Sequence, residues 1–129
     1  MPNRPNATAL TSDDEGYRIP STDLRLVYHE VSKPIAVKDS LVILVQGLFS
    51  ATERINAGGK IARESVGVIS HRYGDVQIQM VGFRGRLWAY KAAQAFEGLA
   101  TIGAKIGFYE STILVVQDRI GPIARVDLV

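Results

Sequence analysis

The chain has 129 residues and a mass of 14.1 kDa, with 47% hydrophobic and 22% charged side chains. That is the length and balance of one globular domain, and it excludes a disordered, collagen-like or coiled-coil chain. Cysteine is absent, which excludes a disulfide framework, a thiolate nucleophile and a cysteine-based zinc site, and the net charge of +2 is too small for a dedicated nucleic-acid binder.

Charge is not evenly spread. Residues 53–91 carry seven basic and three acidic side chains, a locally basic middle third that can steer an anionic partner. Residues 1–16 read as a polar tail dominated by Pro2, Pro5, Asn3, Asn6, Asp13, Asp14 and Gly16, since such a stretch buries too little to offset its ordering entropy. The tail lacks the apolar core of a signal peptide and no apolar run reaches membrane-spanning length. A soluble protein is expected, or a secreted one if a leader has been removed. Asn6-Ala7-Thr8 has the form of a glycosylation acceptor.

A single folded domain is expected over residues 17–129. Pro20 pushes Ile19 toward an extended conformation. Residues 24–31 alternate: Leu24, Leu26 and Tyr28 on one side, Arg25, Val27 and His29 on the other, which predicts a strand. Residues 38–57 predict a helix from Leu41, Leu44, Val45, Leu48, Thr52 and Ile55. Asp39 or Ser40 stands at its start and Gly58-Gly59 at its stop. The β-branched Val42, Ile43 and Val45 leave a strand over residues 41–45 as the alternative.

Residues 64–72 and 75–83 predict a hairpin turning at Tyr73-Gly74-Asp75. In its second strand Val76, Ile78 and Met80 alternate with Gln77 and Gln79, the pattern of a half-buried strand. Residues 87–105 predict an alanine-rich second helix containing Gly98 and Gly103, which close packing would explain. Residues 108–117 predict a strand that is apolar on both sides in its second half, and residues 122–128 a last short one beginning at Pro122.

The order β-α-β-β-α-β-β predicts an α+β fold, with two helices on one face of a mostly antiparallel sheet. It is the element order of a split β-α-β, ferredoxin-like unit with an extra strand.

Few residues point to chemistry. His29 and His71 are the two histidines. If the first two long strands are neighbours, they can approach each other near Glu30 or Asp75 and form an acid–base pair or a metal site. No Gly-x-Ser-x-Gly elbow accompanies a serine, and no metal or cofactor is expected. Gly82-Phe83-Arg84-Gly85-Arg86 joins a strand to a helix, where backbone amides with Arg84 and Arg86 can hold an anion, though the dinucleotide fingerprint is missing. Phe83, Trp88 and Tyr90 lie among Arg84, Arg86 and Lys91, a mixture found both at binding hot spots and where a helix meets a sheet.

The alternation also predicts an open sheet face that presents Arg25, His29, Gln77, Gln79, Arg125 and Asp127, interleaved with Val27, Val31, Val81 and Ile123. Such a face is too apolar to leave wholly in water and too polar for a core.

Tyr17-Arg18-Ile19-Pro20-Ser21-Thr22, the helix ending at Gly58, Glu97-Gly98-Leu99 and Gly121-Pro122-Ile123 together resemble small fungal α+β proteins with no agreed activity. The resemblance covers most of the chain in layout and implies no catalytic residue.

Two functional classes follow. The first is a non-enzymatic module that self-associates, or binds a protein partner, through the open sheet face. The second is a small enzyme or ligand-binding protein with His29, His71, Tyr28 or Asp75 as acid–base groups between sheet and helices. Anion or nucleic-acid binding by the basic middle segment stands third.

Overall fold

The structure, a computed structural model, describes residues 16–56 and 65–129. The Gly58-Gly59 stop, the start of the second predicted strand at Glu64 and all of the tail but Gly16 lie outside the described residues. The elements are β1 (Tyr17–Arg18), β2 (Leu24–Pro34), α1 (Val37–Asn56), β3 (Val68–Tyr73), β4 (Val76–Gly82), α2 (Ala89–Ile106), β5 (Tyr109–Gln117) and β6 (Gly121–Leu128).

The fold is α+β. Two helices pack on one six-stranded sheet in the order β1-β2-β5-β6-β4-β3, with every adjacent pair antiparallel. The extra strand of the sequence reading does not add at an edge, because β6 is central, between β5 and β4. Both of those strands run antiparallel to β6 and therefore parallel to each other, so α2 is a crossover that skips one strand. α1 makes the longer crossover, from β2 past β5, β6 and β4 to β3.

The region with β-branched residues is helix throughout. α1 turns Ile43, Leu44 and Ala51 into the core. Val45, expected on the buried stripe, is instead 61% exposed, because Ile43 and Gly47 occupy the side that meets α2. The glycines inside both helices mark close approaches. A Cβ at Gly47 would run into the Phe96 ring of α2, one at Gly103 into the Phe108 ring, and one at Gly98 would come within 2.7 Å of the Ile19 side chain. Each glycine gives up about 1 kcal/mol of helix propensity and gains a contact that no other residue permits.

The pairings carry three register irregularities, one of them near the end of β2 between Val31 and Pro34, and the other two reset the strand alternation. Register slips at His29, between the Tyr28–Ile113 and Glu30–Thr112 pairs. Val31 then pairs with Ser111 and packs against the core rather than lying on the open face. Register slips again at Ile123, between the Val116–Pro122 and Val115–Ala124 pairs, and Ile123 is fully buried. One inserted residue moves the following side chains to the other face, which is why a strict period of two misplaced both residues. The β3–β4 hairpin closes through Gly74-Asp75 with Gly74 at φ 60°, a glycine-favoured conformation typical of tight hairpin turns.

The contact between Gly47 and Phe96 makes a prediction of opposite sign to helix propensity. Gly47→Ala should destabilise the fold by about 1–3 kcal/mol, the usual cost of overpacking, where an uncrowded helix would gain from alanine. Combining it with Phe96→Leu should recover part of the loss, read by urea denaturation of the two single variants and the double.

Candidate interaction face

The sheet face turned away from the helices is assembled by register. Val27 pairs with Leu114, Leu114 with Arg125, Arg125 with Val81, and Val81 with Val68. These five side chains form one row across five strands. Val68 is 48% exposed, and Val27, Leu114 and Val81 are half-buried. The neighbouring row on one side is Arg25, Val116 and Pro122. On the other side it is Glu30, Thr112, Asp127, Gln79 and Ser70. No described helix or loop covers the valine and leucine row.

Five of the six polar residues expected on this face occupy it: Arg25, Gln77, Gln79, Arg125 and Asp127. Arg25 and Gln77 are half-buried on it, while Gln79 and Arg125 are exposed. Arg125 places Nη2 3.2 Å from Asp127 Oδ1, and Arg72 donates to Gln77 Oε1 at 2.9 Å. His29 stands at the rim, exposed in its bulge. Leu114 and Val116 complete the apolar part. The sequence signalled them through the strand that is apolar on both sides, but without the sheet order nothing assigned them to this face.

The histidine pair is not formed. Three strands separate β2 from β3, so the condition on which it rested does not hold. His71 turns inward and shares a 2.9 Å hydrogen bond with Ser50 of α1, while His29 borders an open cavity of about 500 Å³ with Glu30, Ser32, Glu110, Thr112 and Asp127. Asp75 is exposed in the hairpin turn. Tyr28 is in the core, where burial, and to a lesser degree Tyr17, hold its hydroxyl protonated well above the usual tyrosine range. Among the described residues no group of three or more His, Asp or Glu could hold a metal ion, and no helix is long and apolar enough to cross a membrane.

At the start of α2 the sequence missed a buried polar network. Lys91 is 4% exposed. Its Nζ lies 4.3 Å from the centre of the Trp88 ring and donates to Gln117 Oε1 at 2.6 Å. The Gln117 Nε2 donates in turn to Asp23 Oδ2 at 2.9 Å. Burial lowers the Lys91 pKa and Asp23 opposes that shift. Trp88 is half-buried, with Tyr90 edge-on to it at 6.0 Å. This corner therefore serves as a seal at the end of the core, and Lys91 belongs to it rather than to the surface arginines beside it in sequence.

The short β1 is tied down by Asp118. Arg18 places Nη1 2.9 Å from Asp118 Oδ2 and Nη2 3.0 Å from Oδ1, a two-pronged pair, and Arg25 Nε lies 3.6 Å from Oδ1. The Arg18 hydrogen bond is the main cause that lowers the Asp118 pKa; desolvation opposes it, and the charges of Arg18, Arg25 and Arg119 each add a smaller lowering. A carboxyl held lower in the fold than in the unfolded chain stabilises above its unfolded value near 3.8 and loses that contribution as pH falls through the folded value. Asp118→Asn should therefore lower the thermal midpoint at neutral pH. The gap to the wild type should close as the pH drops below about 4, read in a pH series of melting curves.

Comparison with protein-family models finds no matching family, and searches of the curated proteins and of the solved structures likewise find no match.

Proposed function

We propose that the protein is a non-catalytic interaction module that self-associates through the open face of its sheet. The observation that carries this reading is the row Val27, Leu114, Val81 and Val68 with Val116 beside it, apolar side chains from four strands, with Arg125 of β6 set between Leu114 and Val81, on the face that neither helix covers. Apolar side chains clustered on an open face mark interaction sites, whereas single exposed apolar residues do not. The polar row Glu30, Thr112, Asp127, Gln79 and Ser70 that flanks it has the character of an interface rim. The acid–base alternative loses its support, because its two histidines stand three strands apart and Tyr28 is locked in the core. The likeness to small fungal proteins adds no activity to this reading.

A second apolar strip runs along α1, where Val37, Val45 and Phe49 are 53%, 61% and 64% exposed, and it provides the internal comparison. Light scattering on the eluting peak should give a mass above 14.1 kDa. Leu114→Lys with Val81→Lys should bring it to the monomer while the melting midpoint stays close to that of the wild type. Val45→Lys with Phe49→Lys should leave the larger mass intact. A wild-type monomer at micromolar concentration, or dissociation by the helix pair alone, would overturn the sheet-face assignment.

A further inference from the structure

The turn between β4 and α2 holds two guanidinium groups that no described carboxylate balances. The Arg86 amide donates to the Phe83 carbonyl at 2.9 Å, closing a tight turn over residues 83–86. Its two central residues, Arg84 and Gly85, take φ of 51° and 71°. Glycine adopts that region freely, while arginine does so against the clash of its own Cβ. Turns of this kind strongly favour asparagine, aspartate or glycine at the first central position. The backbone therefore gains nothing from the arginine, and what the residue supplies is charge.

The electrostatic surroundings separate this turn from the other arginines at the same end of the sheet. Arg18 and Arg25 both face Asp118, and Arg119 also acts on that carboxylate. Arg84 makes no hydrogen bond or ion pair with any described residue. Arg86 reaches only a backbone oxygen, Nη1 to the Ile120 carbonyl at 3.5 Å. The two side chains border one open cavity of about 510 Å³, together with Gly82, Phe83 and Pro122. That size suits a small organic molecule. Its lining combines two arginines with a phenylalanine and a proline.

We propose that this cavity binds a phosphate ester carrying an apolar group. The phosphate is held between Arg84 and Arg86, and the apolar group rests on Phe83 and Pro122. A phosphomonoester carries close to two negative charges at neutral pH, which the two guanidinium groups balance. The planar guanidinium fork fits phosphate oxygens in pairs. The site shares Pro122 with the row beside the valine and leucine row but uses none of the residues substituted in the self-association test, so the two readings are tested apart.

The test is titration calorimetry with phenyl phosphate on the full chain, paired with the fluorescence of Trp88, the single tryptophan, which lies two residues from Arg86. Phenyl phosphate should bind saturably in the millimolar range or tighter. Inorganic phosphate and benzyl alcohol should each bind at least tenfold more weakly, at about the level set by losing one half of the contacts. Arg84→Gly is the decisive variant, because it relieves the positive φ. Its melting midpoint should hold or rise, while phenyl phosphate affinity falls about tenfold. Arg86→Ala should weaken binding to a similar degree, and Leu114→Lys should leave it unchanged. Absence of saturable heat with phenyl phosphate overturns the proposal, as does binding that survives both arginine variants. Equal affinity for inorganic phosphate removes the apolar half of the site, and equal affinity for benzyl alcohol removes the anionic half.

Discussion

The Phe96 ring lies against Gly47, and the arrangement of both helices depends on that contact. Phe96 is among the largest fully buried side chains. A helix that offered any side chain at position 47 would be pushed away from α2 by it. Because the helices lie this close, they share one face of the sheet. The same device recurs along α2, where Gly98 admits Ile19 and Gly103 admits Phe108. These two contacts bring in the segments flanking the sheet, β1's continuation on one side and the entry to β5 on the other. Three glycines thus set three distances, and the layer of helices is positioned by what those residues lack.

With both helices on one side, the opposite face is left to the strands alone. Its character comes from register more than from composition. Pairing across β2, β5, β6, β4 and β3 collects apolar residues that are scattered from Val27 to Leu114 in sequence and lines them up in a single row with Arg125 of β6 among them. The bulges at His29 and Ile123 sharpen the division by sending Val31 and Ile123 to the core. Ionic contacts then differ between the two ends of the strands. At one end Asp118 gathers Arg18 and Arg25 while Arg84 and Arg86 border their own cavity. At the other, Glu30, Glu110 and Asp127 border another.

Much of this was legible in the residues, for identifiable reasons. The long helices and strands were readable because their apolar periods are sustained, and Gly98 and Gly103 announced close packing because nothing else accounts for two glycines in a helix. The face away from the helices was legible in Gln77, Gln79, Arg25 and Arg125, which alternate with core residues. Strand order was not legible, because pairing between β2 and β5 joins residues far apart in sequence with no local signal. That missing order left the pairing of His29 with His71 open, and it concealed Leu114 and Val116 as parts of the outer face. Val45 was misassigned because an apolar residue at helical spacing fits either side of a helix whose neighbour is unknown. The role of Lys91 was hidden for a related reason: its partner Gln117 stands on another strand, and Asp23 before yet another.

The central place of the β5–β6 hairpin has a consequence for how the molecule comes into being. These two strands leave the ribosome after β2, α1, β3, β4 and α2, yet they occupy the middle of the sheet. Until they arrive, β2 and β4 each present an open edge, the edges that β5 and β6 later cover. The emerging chain can form its helices and the β3–β4 hairpin by local contacts, but the sheet closes only when the last hairpin inserts between two waiting strands. Closure that depends on distant pairings is slow, and a waiting strand edge is the kind of surface on which nascent chains aggregate. The order of synthesis and the order of the sheet are in this sense opposed.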